Sequence, residues 1–494
     1  MMKRTPRAGR RAPARGRAPD ARVAAPRPRA EQYIPAREPN LLARPGPELI
    51  AVLDTALAAL ARAFPIPAGH RKDLPPAVRE LSRILTSERG ELSRSYWSAP
   101  RLATAYLYFF LPWNIFRLAW LLPGLDMPLR PGNRILDLGS GPLTLPIALW
   151  CARPDLRQTP LSFDCVDVAV KPMEYGRSVF YALAGEDSPW RIFPQRSPVE
   201  KALRLAGREA LKPPQKKAGQ HGPAPNTPAQ GGYDCIMAGN ILNELCAGSA
   251  QGNAQALSAR LEELTGLAHG ALLPEGRLFL LEPGTRFGGK LISLARKGAL
   301  QQGFAPLAPC THDAACPMLE QAGSYTGWCH FIHPAENAPA ALRELSAKAR
   351  LEKDSLALSC LLLRRTGQIA ATPLAESDSL DELEALYAEI TAEDALLQSN
   401  KNTAGHEDDK DHKERQASGH LAHAVDSPLA RTRVISAPIR LPGSTEPARY
   451  ACCAKGLALL LDAARTPSGA YVTLPWPDKE QRDAKTGALI LKRN

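Results

Sequence analysis

The sequence predicts an α/β fold in which helices cover both faces of a central sheet. Between residues 133 and 300, runs typical of strands alternate with helical stretches: NRILDL, LSFDCVDV, YDCIMAG and GRLFLLEP read as strands and LPIALWCA as a helix. Such alternation is typical of parallel strands joined by helical crossovers. Amphipathic periodicity predicts a helical region before this domain, and several short strand-like runs predict a small β-rich domain after it.

Composition divides the 494-residue chain into six parts. Pro/Ala/Arg-rich and Pro/Gly/Gln-rich stretches are expected to be disordered, because they cannot bury enough apolar surface to fold. The expected parts are a disordered basic tail (1–45), a helical N-terminal region (46–130), the Rossmann-like α/β domain (131–300, with a disordered insertion at about 201–232), a cysteine segment with the end of the core (301–370), a helix and low-complexity linker (371–430), and the β-rich domain (431–494).

The positive charge of the chain is concentrated at its beginning. The net charge is +12, and residues 1–31 alone carry ten basic and two acidic side chains. Such a tail can neutralise phosphates and draw the protein towards RNA or DNA. A solvated arm without a dedicated partner explains the same composition, and the sequence leaves both interpretations open.

The sequence favours a protein of a reducing compartment. No apolar core follows the basic start, and the ten cysteines have no regular framework spacing, so we expect a cytoplasmic protein. The longest apolar run, residues 106–125, is interrupted by Pro112, Arg117 and Pro123. It is therefore expected to form buried helices, and no membrane partner is predicted.

An acidic strand end followed by a glycine-rich turn predicts a cofactor site. RILDLGSGP places Asp137 at the end of the first strand, and Gly139 and Gly141 would let the backbone approach a ligand closely. Asp167 ends the next strand, where its carboxylate is suited to ribose hydroxyls. This short motif and the two later strands favour a class I S-adenosylmethionine methyltransferase over a dehydrogenase. Asn240, directly after the fourth strand, is predicted to contact the cofactor as well.

The acceptor of the methyl group is not defined by the sequence. Leu143 occupies the place of the usual third glycine, so cofactor approach is expected to be altered, and a fold that binds cofactor poorly stays an alternative. AGNILNEL stands where amino-group methyltransferases of nucleic acids often carry Asn/Asp-Pro-Pro-aromatic. Cys235 lies within a strand and is expected in the core, not as a nucleophile. Asn243 and Glu244 could line the pocket, but no catalytic residue is assigned.

Three cysteines follow the predicted α/β domain in a segment rich in loop residues. Five residues separate Cys310 from Cys316, and twelve separate Cys316 from Cys329. This spacing matches neither the paired C-x-x-C of zinc ribbons nor the C-x-x-C-x-x-C of ferredoxins. Spacing alone leaves structural cysteines and a metal site open, and nearby histidines favour zinc over a cluster.

The same segment resembles a known family. APC-T-HD-x-x-CP and then GWCHF, after LLEPGTRFGGKLISLARK, look like the methyltransferase-like proteins associated with the small ribosomal subunit, which are mitochondrial ribosome assembly factors with bacterial relatives. The resemblance covers residues 133–367 and resumes near Arg431. It implies a 4Fe–4S cluster held by the three cysteines and by a fourth in YACCAKG, either Cys452 or Cys453. The family pattern favours Cys452.

The resemblance implies a role at the small ribosomal subunit through its rRNA. We therefore expect an S-adenosylmethionine-binding, iron–sulfur protein, with methylation of rRNA as the expected activity. A non-catalytic rRNA-binding assembly factor and a small-molecule methyltransferase with a structural zinc are the alternatives. A cluster with a ligand more than a hundred residues away would join the β-rich domain to the core, so metal binding would contribute to folding. The oligomeric state is not indicated.

Overall fold

The computed structural model describes residues 40–86, 96–211, 231–250, 254–319, 327–366, 429–441, 447–463 and 465–492. Except at their ends, the predicted basic tail (1–45) and the predicted helix and linker (371–430) lie outside these ranges. The greater part of the predicted insertion does too.

An eight-stranded sheet forms the centre of the molecule. Its strands are β1 (Arg134–Leu138), β2 (Leu161–Asp167), β3 (Trp190–Arg196), β4 (Tyr233–Gly239), β5 (Leu272–Pro283), β6 (Phe304–Ala308), β7 (Phe331–Pro334) and β8 (Ser355–Arg365). The order is β3-β2-β1-β4-β5-β8-β6, with β7 paired to β8. Strands β1 to β5 are parallel, whereas β8 is antiparallel to β5, β6 and β7. The predicted class I methyltransferase-like Rossmann fold is confirmed, with a mixed sheet in place of a fully parallel one.

Helices pack on both faces of this sheet. They are α1 (Pro47–Ala63), α2 (Leu74–Thr86), α3 (Pro100–Ala105), α4 (Leu111–Leu121), α5 (Thr144–Ala152), α6 (Val170–Ala184), α7 (Val199–Ala210), α8 (Leu242–Ala250), α9 (Ala254–Ala271), α10 (Arg286–Gln301) and α11 (Ala340–Ala349). Helix α5 carries apolar side chains on all sides, as is typical of a helix that is enclosed by its neighbours. The sheet, α1, α4 and α6 surround it. Helices α7 to α10 form a separate core on the opposite face.

The N-terminal helices belong to the main core of the molecule. Trp113 of α4 donates a hydrogen bond from Nε1 to Ser346 Oγ of α11 at 3.1 Å, and both residues are buried. Residues 106–110 form a π-helical turn between α3 and α4; such turns are frequent at functional sites. No single helix among the described residues is long and apolar enough to cross a membrane, although α1 and the segment Ala68–Leu85, bent by 118°, together have the length and composition.

Helix α7 corrects one predicted boundary. The insertion was expected to begin at about residue 201, but the helix continues to Ala210. Val199, Leu203 and Ala206 recur at helical spacing and pack into the core below the sheet. This apolar stripe stabilises the helix despite the polar composition around it. Residues 212–230 of the predicted insertion lie outside the described part of the chain.

A second sheet lies at the C-terminal end of the chain. It contains β9 (Leu429–Val434), β10 (Arg449–Cys453), β11 (Gly456–Leu461), β12 (Tyr471–Pro475) and β13 (Leu489–Lys492), in the order β12-β9-β10-β11-β13. Small aliphatic side chains form its own core. Arg433 joins the two sheets, because its Nε donates to Pro309 O at 3.0 Å while Nη1 donates to Gly469 O at 2.9 Å.

Candidate cofactor site and cysteine cluster

The glycine turn lies at the carboxyl end of β1, where the strand order reverses between β1 and β4. Open α/β sheets bind ligands at this position. Gly139 and Gly141 have φ values of +62° and +48°, which glycine adopts without strain. A Cβ at Gly139 would lie 2.6 Å from the Ile241 side chain, whereas one at Gly141 would meet only a carbonyl oxygen at 4.0 Å. Packing therefore requires glycine at position 139, whereas Gly141 borders open space.

Asp137 is a buried carboxylate without a partner. Its side chain is 1% exposed, and neither carboxylate oxygen has a hydrogen-bond partner among the described residues. Burial raises the pKa of Asp137 to about 8; the nearby Ser140 hydroxyl, which donates to the Asp137 main-chain carbonyl, partly opposes this effect, and the charge of Asp167 adds a smaller increase. A buried carboxylate is stable only when protonated or when a positive group approaches it. A cationic group of a ligand would satisfy this side chain.

Two further predicted residues, Asp167 and Asn240, lie at the same edge of the sheet. Asp167 Oδ2 accepts from the amide of Gly141 at 3.0 Å, and Oδ1 accepts from the amide of Ala169 at 2.8 Å. The carboxylate is thus held against the glycine turn and keeps lone pairs for hydroxyl donors. Asn240 has φ +59° and donates its amide to Leu281 O at 2.7 Å. Its Oδ1 is buried and has no partner among the described residues.

Leu143, in the place of the third glycine, keeps a glycine-like backbone. Its φ is +56° and its side chain is fully buried. Gly176 of α6 makes room for this turn, since a Cβ there would lie 2.3 Å from the Pro142 carbonyl carbon and 2.7 Å from Leu143 Cγ. The Leu143 side chain therefore points into the core, and Gly176 on the facing helix leaves the space that this turn needs.

Sequence reasoning missed the side chains that the N-terminal helices bring to this edge. The ring of Tyr106 lies 4.8 Å from that of Trp97 and 5.7 Å from that of Tyr96. Burial and then the charges of Glu244 and Asp167 raise the pKa of Tyr106, so the phenol lies near both loops of the cofactor edge. A signal was present in the aromatic run at 106–110, but only the tertiary fold shows what it faces.

Arg117 of α4 is a buried cation close to Tyr106. Its Nε is buried and has no hydrogen-bond partner among the described residues. Burial lowers the pKa of the guanidinium to about 10, and the nearby phenol of Tyr106 partly opposes this effect. A cation within an apolar helix is the sequence signal that could have identified it.

The structure brings the four predicted metal ligands together. Cys310 follows β6, Cys316 lies in the next loop, Cys329 precedes β7 and Cys452 lies in β10, and all four are partly buried. Burial and then the neighbouring thiols raise the pKa of Cys329 and of Cys452. The thiols are therefore close enough for their charges to interact, although they come from segments on two sheets.

Of the two adjacent cysteines in β10, only Cys452 faces this cluster. Its Sγ lies 3.1 Å from His312 Nε2, on the loop after β6. Cys453 is fully buried in the core of the second sheet, and its Sγ donates to Gly456 O at 3.4 Å. The alternation of side chains along the strand separates the two thiols.

A buried cation lies beside the thiols. Arg296 of α10 is 3% exposed, and its Nη2 donates to His312 O at 2.9 Å and to Ala314 O at 2.8 Å. The negative groups whose charges act on it are the thiols of Cys310, Cys316 and Cys452. No group of three or more histidine, cysteine or carboxylate side chains in the described ranges is arranged to hold a single metal ion.

The comparison with protein families matches the cysteine segment. The model of the family described as mitochondrial small ribosomal subunit Rsm22 matches residues 269–351, from the end of α9 through α11. This segment resembles the Rsm22 family. The match includes Cys310, Cys316 and Cys329, and it confirms the resemblance to a small-ribosomal-subunit family that these cysteines predicted. No curated protein matches the chain.

Solved methyltransferase structures show low similarity to this chain. TrmN from Thermus thermophilus is 19% identical, with a TM-score of 0.26 over 56% of this chain and 53% of TrmN. A SAM-dependent methyltransferase from Agrobacterium tumefaciens is 12% identical, with a TM-score of 0.25 over 52% of this chain and 61% of that one. Because these scores are low, the fold is assigned from the strand order and directions above.

Proposed function

We propose that this chain is an S-adenosylmethionine-binding, methyltransferase-like protein that acts on the small ribosomal subunit through its rRNA. The observation that carries the proposal is the buried, unpartnered carboxylate of Asp137 at the switch point of the sheet, next to the open side of Gly141. The Rsm22 match supports the ribosomal partner. The cytoplasmic location stays a prediction from the sequence.

The residues at this edge fit S-adenosylmethionine. Asp137 would bind a cationic group of the cofactor, since nothing else in the described site neutralises its carboxylate. Asp167, held by two main-chain amides, would accept hydrogen bonds from ribose hydroxyls, and Asn240 Oδ1 would accept one further donor. When bound, the cofactor supplies an electrophilic methyl group.

We also propose that Cys310, Cys316, Cys329 and Cys452 hold a 4Fe–4S cluster. The donor set is all sulfur, and Arg296 provides a positive charge that would stabilise the anionic thiolates. Four cysteine thiolates are the usual ligands of a 4Fe–4S cluster, and analysis of the bound metal and sulfide separates a cluster from a zinc ion held by the same thiolates. The cluster would join the two sheets.

A specific observation favours the alternative of a non-catalytic rRNA-binding assembly factor. The turn between β4 and α8 is held in place, because the amide of Leu242, the first residue of α8, donates to the buried carboxylate of Glu282 at 2.8 Å and Ile241 packs over Gly139. Neither interaction offers a base for a methyl acceptor. A small-molecule methyltransferase with a structural zinc would leave the ribosomal resemblance unexplained.

Transfer of a labelled methyl group to immature small subunits tests the proposal. The wild-type protein should label rRNA, and the D137A variant should not. Cofactor and subunit binding without labelling would leave the assembly-factor alternative. A protein that binds neither cofactor nor subunits would contradict both.

A further inference from the structure

We propose that Arg286, Trp328 and His330 form a stacking platform for an unpaired base of RNA. The inference rests on the proposed rRNA partner and names the surface that contacts it. The three side chains come from the start of α10 and from the segment before β7. His330 is one of the histidines near the cysteines, whereas the sequence predicts neither Arg286 nor Trp328 as a site residue.

Both Arg286 and His330 contact the Trp328 ring. The ring centroids of Trp328 and His330 are 4.4 Å apart, with 22° between the ring planes. The guanidinium carbon of Arg286 lies 5.3 Å from the Trp328 ring centroid. All three side chains are partly exposed. Nucleobases bind to such combinations of aromatic rings and arginine, because every base offers a flat π-face and the guanidinium can also reach a phosphate.

The platform is preorganised by contacts to the main chain. Trp328 donates a hydrogen bond from Nε1 to Gly284 O at 2.9 Å. Its ring packs on Gly289 so closely that a Cβ there would lie 2.6 Å from Trp328 Cδ1. His330 Nδ1 lies 3.0 Å from Trp328 O. Because the indole is already held in place, a base that stacks on this surface would not have to order it.

The platform lies at the edge of the sheet that carries the cofactor site. Gly284, which anchors the indole, directly follows β5, and Glu282 at the end of that strand accepts from Leu242 at the start of α8. Asn240 lies in the turn between β4 and α8. A base held on the stack would therefore lie near the edge from which a methyl group is transferred.

The cysteine cluster and the platform share one short segment. Cys329 stands between Trp328 and His330, and its carbonyl oxygen accepts from Ser359 Oγ of β8 at 2.8 Å. A metal or cluster bound to Cys329 would fix the backbone on which both aromatic rings are mounted. Loss of that group is expected to weaken RNA binding through this segment.

Fluorescence anisotropy with a labelled single-stranded RNA of ten mixed nucleotides tests the platform in the full-length protein. Trp328→Leu should weaken binding about tenfold, as expected for one stacked base, and Trp328→Phe should restore most of the affinity. Arg286→Gln should weaken binding severalfold. The matched control is Trp476→Leu on the second sheet, where Lys455 lies 4.4 Å from the indole centroid; it should bind like the wild type.

The same RNA with abasic sites separates stacking from phosphate contact. The wild type should lose affinity for the abasic RNA, and Trp328→Leu should no longer distinguish the two RNAs. Equal binding by the wild type and by folded Trp328→Leu would overturn the platform and leave the proposed function intact. If Trp328→Leu does not fold, the Trp328→Phe and Arg286→Gln variants are measured instead. If each of these variants binds the intact RNA and the abasic RNA with equal affinity, the platform is overturned. A wild type that binds neither this RNA nor small subunits would overturn the proposed partner as well.

Discussion

Replacing Asp137 by asparagine should remove the pH dependence of S-adenosylmethionine binding. Without cofactor, burial raises the pKa of Asp137 to about 8, so most molecules carry a neutral carboxyl at pH 7. A cationic group of the cofactor pairs with the ionised form. Binding at neutral pH must therefore release the proton from this carboxyl group.

The pKa sets the size of the effect. With a pKa of about 8, the ionised fraction falls about tenfold between pH 7 and pH 6, and the affinity should fall by about the same factor. Titration calorimetry at these pH values, in two buffers of different ionisation enthalpy, measures both the affinity and the released proton. The D137N variant should bind more weakly at pH 7, with no pH dependence over this interval and no proton release.

The same carboxyl group predicts a change in stability. Its folded pKa lies above the unfolded value of about 4, so the folded state holds the extra proton, and its contribution to stability is lost as pH rises from about 4 to 8. D137N should not show this loss. The exposed Asp187 provides the control, since D187N should behave like the wild type. A wild-type affinity that is equal at pH 6 and pH 7 would mean that cofactor binding does not remove a proton from Asp137.

Three further substitutions test the packing and the cysteine cluster. Gly176→Ala places a methyl group 2.3 Å from the Pro142 carbonyl carbon, so it should lower the unfolding free energy by about 1–3 kcal/mol and weaken cofactor binding, as measured by denaturation and calorimetry. Cys316→Ser should lose bound iron and make the second sheet sensitive to limited proteolysis, whereas Cys246→Ser, in the core on the opposite face, should retain the iron. Arg433→Gln removes hydrogen bonds to two carbonyl oxygens and should lower the unfolding free energy by about 1–3 kcal/mol.

These three predictions can fail separately. Unchanged stability of Gly176→Ala would mean that the glycine turn can shift at little energetic expense. Full iron content in Cys316→Ser would exclude this thiol as a ligand, and equal iron loss in Cys246→Ser would point to general destabilisation. An unchanged denaturation midpoint for Arg433→Gln would show that the sheets are joined mainly by other contacts.

The strand-end carboxylates could be predicted because their positions follow from local pattern. A buried strand that ends in an acidic residue brings that residue to the ligand edge of a parallel α/β sheet, which places Asp137 and Asp167 from the sequence alone. The convergence of Cys452 with the earlier cysteines had a different source. It was implied by the family resemblance, since no local pattern connects residues so far apart.

The remaining parts of the site depend on tertiary packing. Tyr106 reaches the cofactor edge only because the π-helical turn at 106–110 packs against α11 and the following α4 packs against α5, and helical periodicity does not indicate which face meets which neighbour. The Arg286–Trp328 stack joins a helix start to a distant loop. The antiparallel direction of β8 was missed because an isolated apolar run has no direction.

Analysis of iron, sulfide and zinc in the protein purified without oxygen distinguishes an iron–sulfur cluster from a zinc site. Iron and acid-labile sulfide are expected in equal amounts, together with a visible absorption band, and all three should be lost in Cys452→Ser but not in Cys453→Ser. Zinc without sulfide, or a cluster that survives in Cys452→Ser, would contradict the proposed cluster site.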